Sequence, residues 1–254
     1  MLKKHEESGG TMRFLAILPA LLVPVLLAGH AVAGDRYADE RRKMVEAIRD
    51  TVEYTRAYIG RSALDERVMA AMARVPRHEF VPDGVKPFAY YNRPLPIGHG
   101  QTISQPYIVA LMTDLAAVGE NSIVLEVGTG SGYQAAVLAE LVAHVYTIEI
   151  VEALGRRADR DLQRLGYRNV TVHIGDGYNG WPEKAPFDAI VVTAAPEEVP
   201  EPLIQQLKPG GKLVIPVGSQ AGAQTLAVIE KDAAGRIRRK DILPVGFVPL
   251  TRDQ

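Results

Sequence analysis

From residue 119 onward, short apolar runs alternate with amphipathic stretches, and the alternation repeats. The runs Ile123–Val127, His144–Ile150, Val170–Ile174, Phe187–Val192 and Lys212–Val217 have the length and near-continuous apolar character of strands buried on both faces. Between them, Tyr133–Leu141, Glu152–Leu165 and Glu201–Leu207 read as helices, the second closed by Gly166. Gln224–Glu230 and the segment from Arg236 flank the turn Asp232-Ala-Ala-Gly235 and read as a hairpin. Successive βα units followed by an antiparallel pair predict an α/β domain with a mostly parallel twisted sheet and a reversed C-terminal strand pair. Upstream the pattern is helical. Met44, Ala47, Ile48 and Val52 line one face of a helix over Asp35–Ile59, ended by Gly60. Ser62-x-x-Asp65 is a capping-box pattern for a second helix, Ala63–Arg74, stopped by Pro76. A long irregular stretch rich in Pro and Gly follows, too long for an ordinary connector, so a functional loop is expected there. Helix resumes over Pro106–Val118, with proline in its first turn.

Composition narrows the function classes. Of 254 residues, 47% are apolar and 23% charged, enough for one globular domain with a sizeable core. A net charge of −1 gives no electrostatic basis for nucleic-acid binding. The cluster Arg236, Arg238, Arg239, Lys240 reads as a solvated hairpin face. Without cysteine there is no disulfide, thiolate metal site or cysteine nucleophile. The start of the chain carries its own pattern. Met12-Arg13 precedes the apolar run Phe14–Ala28, and Ala31-Val-Ala33 gives a small-x-small cleavage site. The run is short for a membrane span and contains Pro19 and Pro24, so it reads as a secretory signal over residues 1–33, with Met1 or Met12 as the start. The expectation is an exported, periplasmic or secreted mature chain of residues 34–254, without stable membrane insertion. Residues 34–118 would supply helices and a substrate loop, and residues 119–254 a cofactor-binding core.

The chemistry begins at Ile-Val-Leu-Glu-Val-Gly-Thr-Gly-Ser-Gly-Tyr, residues 123–133. Glycine falls at every second position, at Gly128, Gly130 and Gly132, where a buried strand must turn sharply into a helix. Such a turn lets a ligand approach backbone closely, and the helix start presents free N–H groups. A bare βα turn would use the same glycines for geometry alone. The dinucleotide pattern G-x-G-x-x-G fails because position 133 is Tyr. Glu126 is a carboxylate inside an apolar strand and needs a partner, which a cationic or hydrogen-bonding ligand could supply. Glu149 closes the second strand, where an acid commonly holds ribose hydroxyls. Asp176 closes the third beside Gly177, placed to reach an adenine edge. One strand-end acid alone would read as solvated; three at consecutive strand ends favour a cofactor site.

The E-x-G-x-G-x-G run resembles the first motif of S-adenosylmethionine-dependent methyltransferases. A second segment is more specific. Ile97-Gly-His-Gly-Gln-Thr-Ile-Ser-Gln-Pro106, with Gly175-Asp-Gly177, Leu207-Lys-Pro-Gly-Gly211 and Phe247-Val-Pro-Leu-Thr251, resembles the protein-L-isoaspartate O-methyltransferase family over residues 40–254. That resemblance implies a Rossmann-like methyltransferase core with N-terminal helices over the active site. It implies S-adenosyl-L-methionine as cofactor and damaged, isoaspartyl-containing proteins as partners. A monomer is expected, though the sequence does not fix the oligomeric state. By position it implies Ser104 as the active-site serine and Gln101, Thr102 and Ile103 as residues near cofactor and substrate. It also implies Gly128, Glu149, Asp176, Gly177 and Thr251 as cofactor contacts, beside Glu126 and Gly130 of the glycine turn. The family is usually cytosolic, and the export signal departs from it. Methyl transfer to a carboxylate needs no general base, because the nucleophile is already ionised at neutral pH. Ser104 is accordingly read as a positioning donor, and His99 as an imidazole that orders the loop. Tyr178 and Trp181 either cover the adenine or simply pack. A small-molecule methyltransferase, an NAD(P) enzyme on a related fold and a non-catalytic binding module are the other readings. Against the last, the glycines and strand-end acids occur together.

Overall fold

A computed structural model describes residues 1–2 and 36–252. The expected signal segment falls outside the described residues, save for its first two. Among the described residues no helix is long and apolar enough to cross a membrane.

Helix α1 (Ala38–Ile59) buries Met44, Ile48, Val52 and Ile59, and Gly60 caps it in the left-handed region at φ 73°. Helix α2 (Glu66–Arg74) starts later than the capping-box pattern predicts. Its cap is Asp65, whose carboxylate accepts the Arg67 N–H at 2.8 Å. The Asp65 N–H is itself held by Asp114 at 2.7 Å, which keeps residues 62–65 outside the helix. The stretch expected to be irregular has internal order. Two 3-10 turns, Arg77–Phe80 and Asp83–Phe88, lead to an antiparallel hairpin of β1 (Leu95–Gly98) and β2 (Gln101–Ile103). Helix α3 (Pro106–Ala116) is buried along its whole length.

The main sheet has the order β5-β4-β3-β6-β7-β8-β9. Strands β3 (Ile123–Val127), β4 (His144–Glu149), β5 (Val170–Ile174), β6 (Phe187–Val192) and β7 (Leu207–Val217) are parallel. Strands β8 (Gln224–Lys231) and β9 (Ile237–Val245) are antiparallel, as the hairpin pattern predicts. Helices α4 (Tyr133–Ala139), α5 (Glu152–Arg164) and α6 (Glu201–Gln205) connect the parallel strands. One difference lies at β7, which begins at Leu207 rather than Lys212. Leu207 pairs with Phe187 before the bulge at Pro209-Gly210-Gly211, and α6 stops short to allow it.

Burial on both faces explains the unbroken apolar runs. Val124, Val145, Ala189, Val191 and Val214 pack on the side of α1–α4. Leu125, Val127, Ile148, Ile190 and Ile215 pack on the other side. Each such Val, Leu or Ile side chain contributes about 1.5–3 kcal/mol on burial. The chain runs from β3 outward through β4 and β5, then returns to β6 on the opposite side of β3. The crevice where open α/β sheets bind ligands therefore lies at the carboxyl end of β3, where the glycine turn sits.

Candidate active site

Gly128, Gly130 and Gly132 all have positive φ, at 96°, 53° and 86°. The turn is tied to the end of β4, since Gly128 N–H and Thr129 N–H both donate to the Ile148 carbonyl at 2.8 and 3.1 Å. At Gly128 a Cβ would stand 2.4 Å from Thr193 Oγ1, and at Gly177 it would stand 2.5 Å from Val127 Cγ1. No side chain fits at either place, so backbone faces the crevice.

Glu126 is fully buried. Its Oε2 accepts the Thr147 hydroxyl, which in turn lies 2.6 Å from Thr129 Oγ1. Its Oε1 is buried without a partner. Burial pushes the carboxyl up to about 8, against the Thr147 hydrogen bond. Glu149 is engaged on both oxygens: Oε2 accepts the Gly130 N–H at 2.7 Å and Oε1 the Val151 N–H at 2.9 Å.

These groups share one pocket with the second segment that the sequence singled out. Gln101, Thr102, Ile103, Ser104, Glu126, Gly128, Gly130, Glu149, Gly177 and Thr251 all line it. Thr251 arrives because the C-terminal segment lies along the end of β6: Ala195 N–H donates to the Val248 carbonyl at 2.8 Å, and Leu250 N–H to the Ala195 carbonyl at 2.9 Å. Asp176 is not in the lining. Its carboxylate turns back to cap the 3-10 turn at Gly177–Asn179, accepting the Tyr178 N–H at 2.9 Å, with Arg252 Nε at 3.5 Å on its other oxygen. Arg252 also stacks on the Tyr178 ring at 3.9 Å. Trp181 packs against Tyr146 and His173, away from the pocket lining. His99 sits exposed at the hairpin tip with φ 55°, between Gly98 and Gly100 at 92° and 71°.

Ser104 stands in a wall shared with a second groove. That groove runs between α1 (Thr51, Tyr54, Thr55), Pro94, Tyr107 and the segment Leu243–Val248, and among the described residues no charged side chain lines it. Thr102, Ser104, Thr193 and Val248 border both cavities. Sequence reasoning missed Thr193, whose hydroxyl donates to the Gly128 carbonyl at 2.5 Å. It also missed Arg77, which is fully buried and donates from Nη2 to the Ser104 carbonyl at 2.7 Å. A lone arginine after proline carries no sequence signal for burial. Among the described residues no cluster of His, Cys, Asp and Glu could hold a metal ion.

A profile of the family described as protein-L-isoaspartate(D-aspartate) O-methyltransferase (PCMT) matches residues 52–254. Protein-L-isoaspartate O-methyltransferase 2 of Syntrophobacter fumaroxidans is 61% identical over 237 residues, spanning 91% of this chain and 96% of that protein. Protein-L-isoaspartate O-methyltransferase 1 of Cupriavidus necator is 58% identical, spanning 91% and 93%. Among solved structures, a putative protein-L-isoaspartate O-methyltransferase of Plasmodium falciparum, in complex with S-adenosyl-L-homocysteine, is similar with a TM-score of 0.69 and 26% identity, over 84% of this chain and 99% of that one.

Proposed function

The chain belongs to the protein-L-isoaspartate(D-aspartate) O-methyltransferase family, and we propose on that premise that it transfers the methyl group of S-adenosylmethionine to the α-carboxylate of L-isoaspartyl residues in damaged proteins. The observation that carries this reading is Ser104, placed in the wall between a glycine-lined pocket and an open, uncharged groove. The cofactor would occupy the first and the damaged segment the second, meeting at the serine.

The pocket's residues fit the cofactor's chemistry. Gly128 and Gly177 leave backbone where a Cβ would collide, and the orphaned Oε1 of Glu126 offers an acceptor. A cationic group against that oxygen would offset the cost of ionising Glu126. Glu149 keeps lone pairs beyond its two backbone bonds for ribose hydroxyls. When bound, the cofactor supplies a methyl group on a positively charged sulfur. The chain's own residues then position and shield. Ser104 donates a hydrogen bond to the incoming carboxylate and holds one oxygen in line. Ile103 and Val109 present apolar surface beside it and keep water from competing. No base is required, which agrees with a groove that has no charged lining. The following backbone amide nitrogen then attacks the ester carbonyl without enzymatic help, expelling methanol and forming a succinimide, and hydrolysis returns part of it to normal aspartate.

The test is labelling with a radioactive methyl donor on an isoaspartyl peptide and its aspartyl twin. Only the isoaspartyl peptide should take up label. Equal labelling of both, or of neither, rejects the repair reading.

We also propose that the chain acts outside the cytoplasm after cleavage behind Ala33, on the support of the apolar run Phe14–Ala28 and the Ala31-Val-Ala33 site. N-terminal sequencing of the native protein should begin at Gly34. Soluble cytosolic protein that retains residues 12–33 would overturn this.

A further inference from the structure

We propose that Arg77 is a positioning residue of the site, fixing Ser104 against the glycine turn through the serine's backbone carbonyl. The inference rests on the methyl-transfer reading above. One planar guanidinium touches three separate segments. Nη2 donates to the Ser104 carbonyl at 2.7 Å and Nε to the Ala89 carbonyl at 2.8 Å. Its face lies over the Tyr133 ring, with Cζ 4.7 Å from the centroid. Tyr133 opens α4 at the exit of the glycine turn and lines the cofactor pocket. The same group thus grips the loop that carries the serine and the element that carries the turn. Their separation is what a direct transfer depends on, since a displacement on the order of 1 Å can cost about a hundredfold in rate.

Arg77 is costly to bury, and its contacts meet at the site. Arg77 is 0% exposed, and its guanidinium is met by two backbone carbonyls and the Tyr133 side chain. Burial lowers its pKa to about 10, which still leaves it charged at neutral pH. An apolar replacement would leave the Ala89 and Ser104 carbonyls without this donor, at about 1–3 kcal/mol each, so Arg77 also braces the fold and its effect on the reaction has to be read separately from stability. Lysine would not do the same work, because an ammonium cannot bridge two carbonyls in a plane and stack at once. The groove in front of Ser104 has no charge of its own, so the guanidinium also leaves its positive charge behind the place where a carboxylate arrives.

A double-mutant cycle tests the coupling. Arg77→Met and Arg77→Lys are made in the wild-type and Ser104→Ala backgrounds. Two readouts are taken: kcat and KM on the isoaspartyl peptide, and binding of that peptide to the S-adenosylhomocysteine complex by calorimetry. Ser104→Ala alone should lower kcat/KM about ten- to a hundredfold, the loss of one hydrogen bond to a charged group. Arg77→Met alone should lower it about tenfold, mostly in kcat, and Arg77→Lys, which keeps a donor for the Ser104 carbonyl, should recover part of that. In the Ser104→Ala background the Arg77 substitutions should cost less than about twofold more in either readout. Losses that multiply would overturn the proposal and make Arg77 a packing residue. If Arg77→Met does not fold, the lysine arm decides; if neither folds, the proposal falls. A wild type that labels neither peptide sinks the methyl-transfer reading instead, so the two failures are distinct.

Discussion

Gly128→Ala should abolish measurable binding of S-adenosylhomocysteine while the chain still folds. Two effects coincide at this residue. Its φ of 96° lies where side chains are strained, at a cost of about 1–3 kcal/mol. The added Cβ would stand 2.4 Å from Thr193 Oγ1, a contact that no real structure tolerates. Thr193 has little freedom to retreat, because its hydroxyl is bound to the Gly128 and Val127 carbonyls. The turn must therefore move, and it moves at the pocket's own wall. Affinity should fall more than a hundredfold by calorimetry, with native circular dichroism and a lowered Tm. Gly60→Ala is the control. It also has positive φ, at 73°, but nothing lies within 4 Å of its Cβ. It should cost about 1 kcal/mol of stability through the helix cap alone and leave affinity unchanged. Cofactor affinity of Gly128→Ala within about threefold of wild type would remove the turn from the binding site.

That turn was legible because two constraints met in few residues. A strand buried on both faces writes itself as Ile-Val-Leu-x-Val, and glycine at alternating positions signals backbone that bends where side chains cannot follow. Glu126 was conspicuous for the opposite reason, as a carboxyl where only apolar groups are comfortable, and among the described residues it carries a buried oxygen without a hydrogen-bond partner. Other parts left no periodic signal. The hairpin of β1 and β2 has strands of four and three residues, broken by proline and glycine, too short for alternation to register. The bulge that lets β7 start at Leu207 is set by pairing with β6, a tertiary fact. Asp176 shows that a strand-end acid can also serve its own backbone. Position gives it an adenine-edge role by expectation, and its side chain also closes a local turn two residues on, an Asx-type contact that a sequence offers equally well. Arg77 was invisible, because what buries it is the meeting of Ala89, Ser104 and Tyr133 from distant parts of the chain.

Glu149→Ala should weaken cofactor binding at least a hundredfold and also lower Tm, a larger effect than a ribose contact alone would give. From its place at the end of β4 the expected role is that of acceptor for two ribose hydroxyls. The structure adds a second duty. The carboxylate, only 6% exposed, already accepts the Gly130 N–H from the glycine turn and the Val151 N–H from the entry to α5. Each hydrogen bond to a charged group is worth about 1.5–3 kcal/mol, so alanine removes two internal bonds before any ligand is considered. The turn loses its anchor and the ligand loses its acceptor together. Glu149→Gln keeps the shape but not the chemistry, since its NH2 would face one of the two N–H donors. It should fall between wild type and alanine in Tm while binding the cofactor nearly as poorly. Ligand analogues separate the two duties. For the wild type, an S-adenosylhomocysteine analogue lacking the ribose hydroxyls should bind far more weakly than the parent. For Glu149→Ala, the two ligands should bind alike, because the acceptor is gone. If alanine lowers Tm but the parent still outbinds the analogue by the wild-type margin, Glu149 only braces the turn, and the ribose must be held elsewhere.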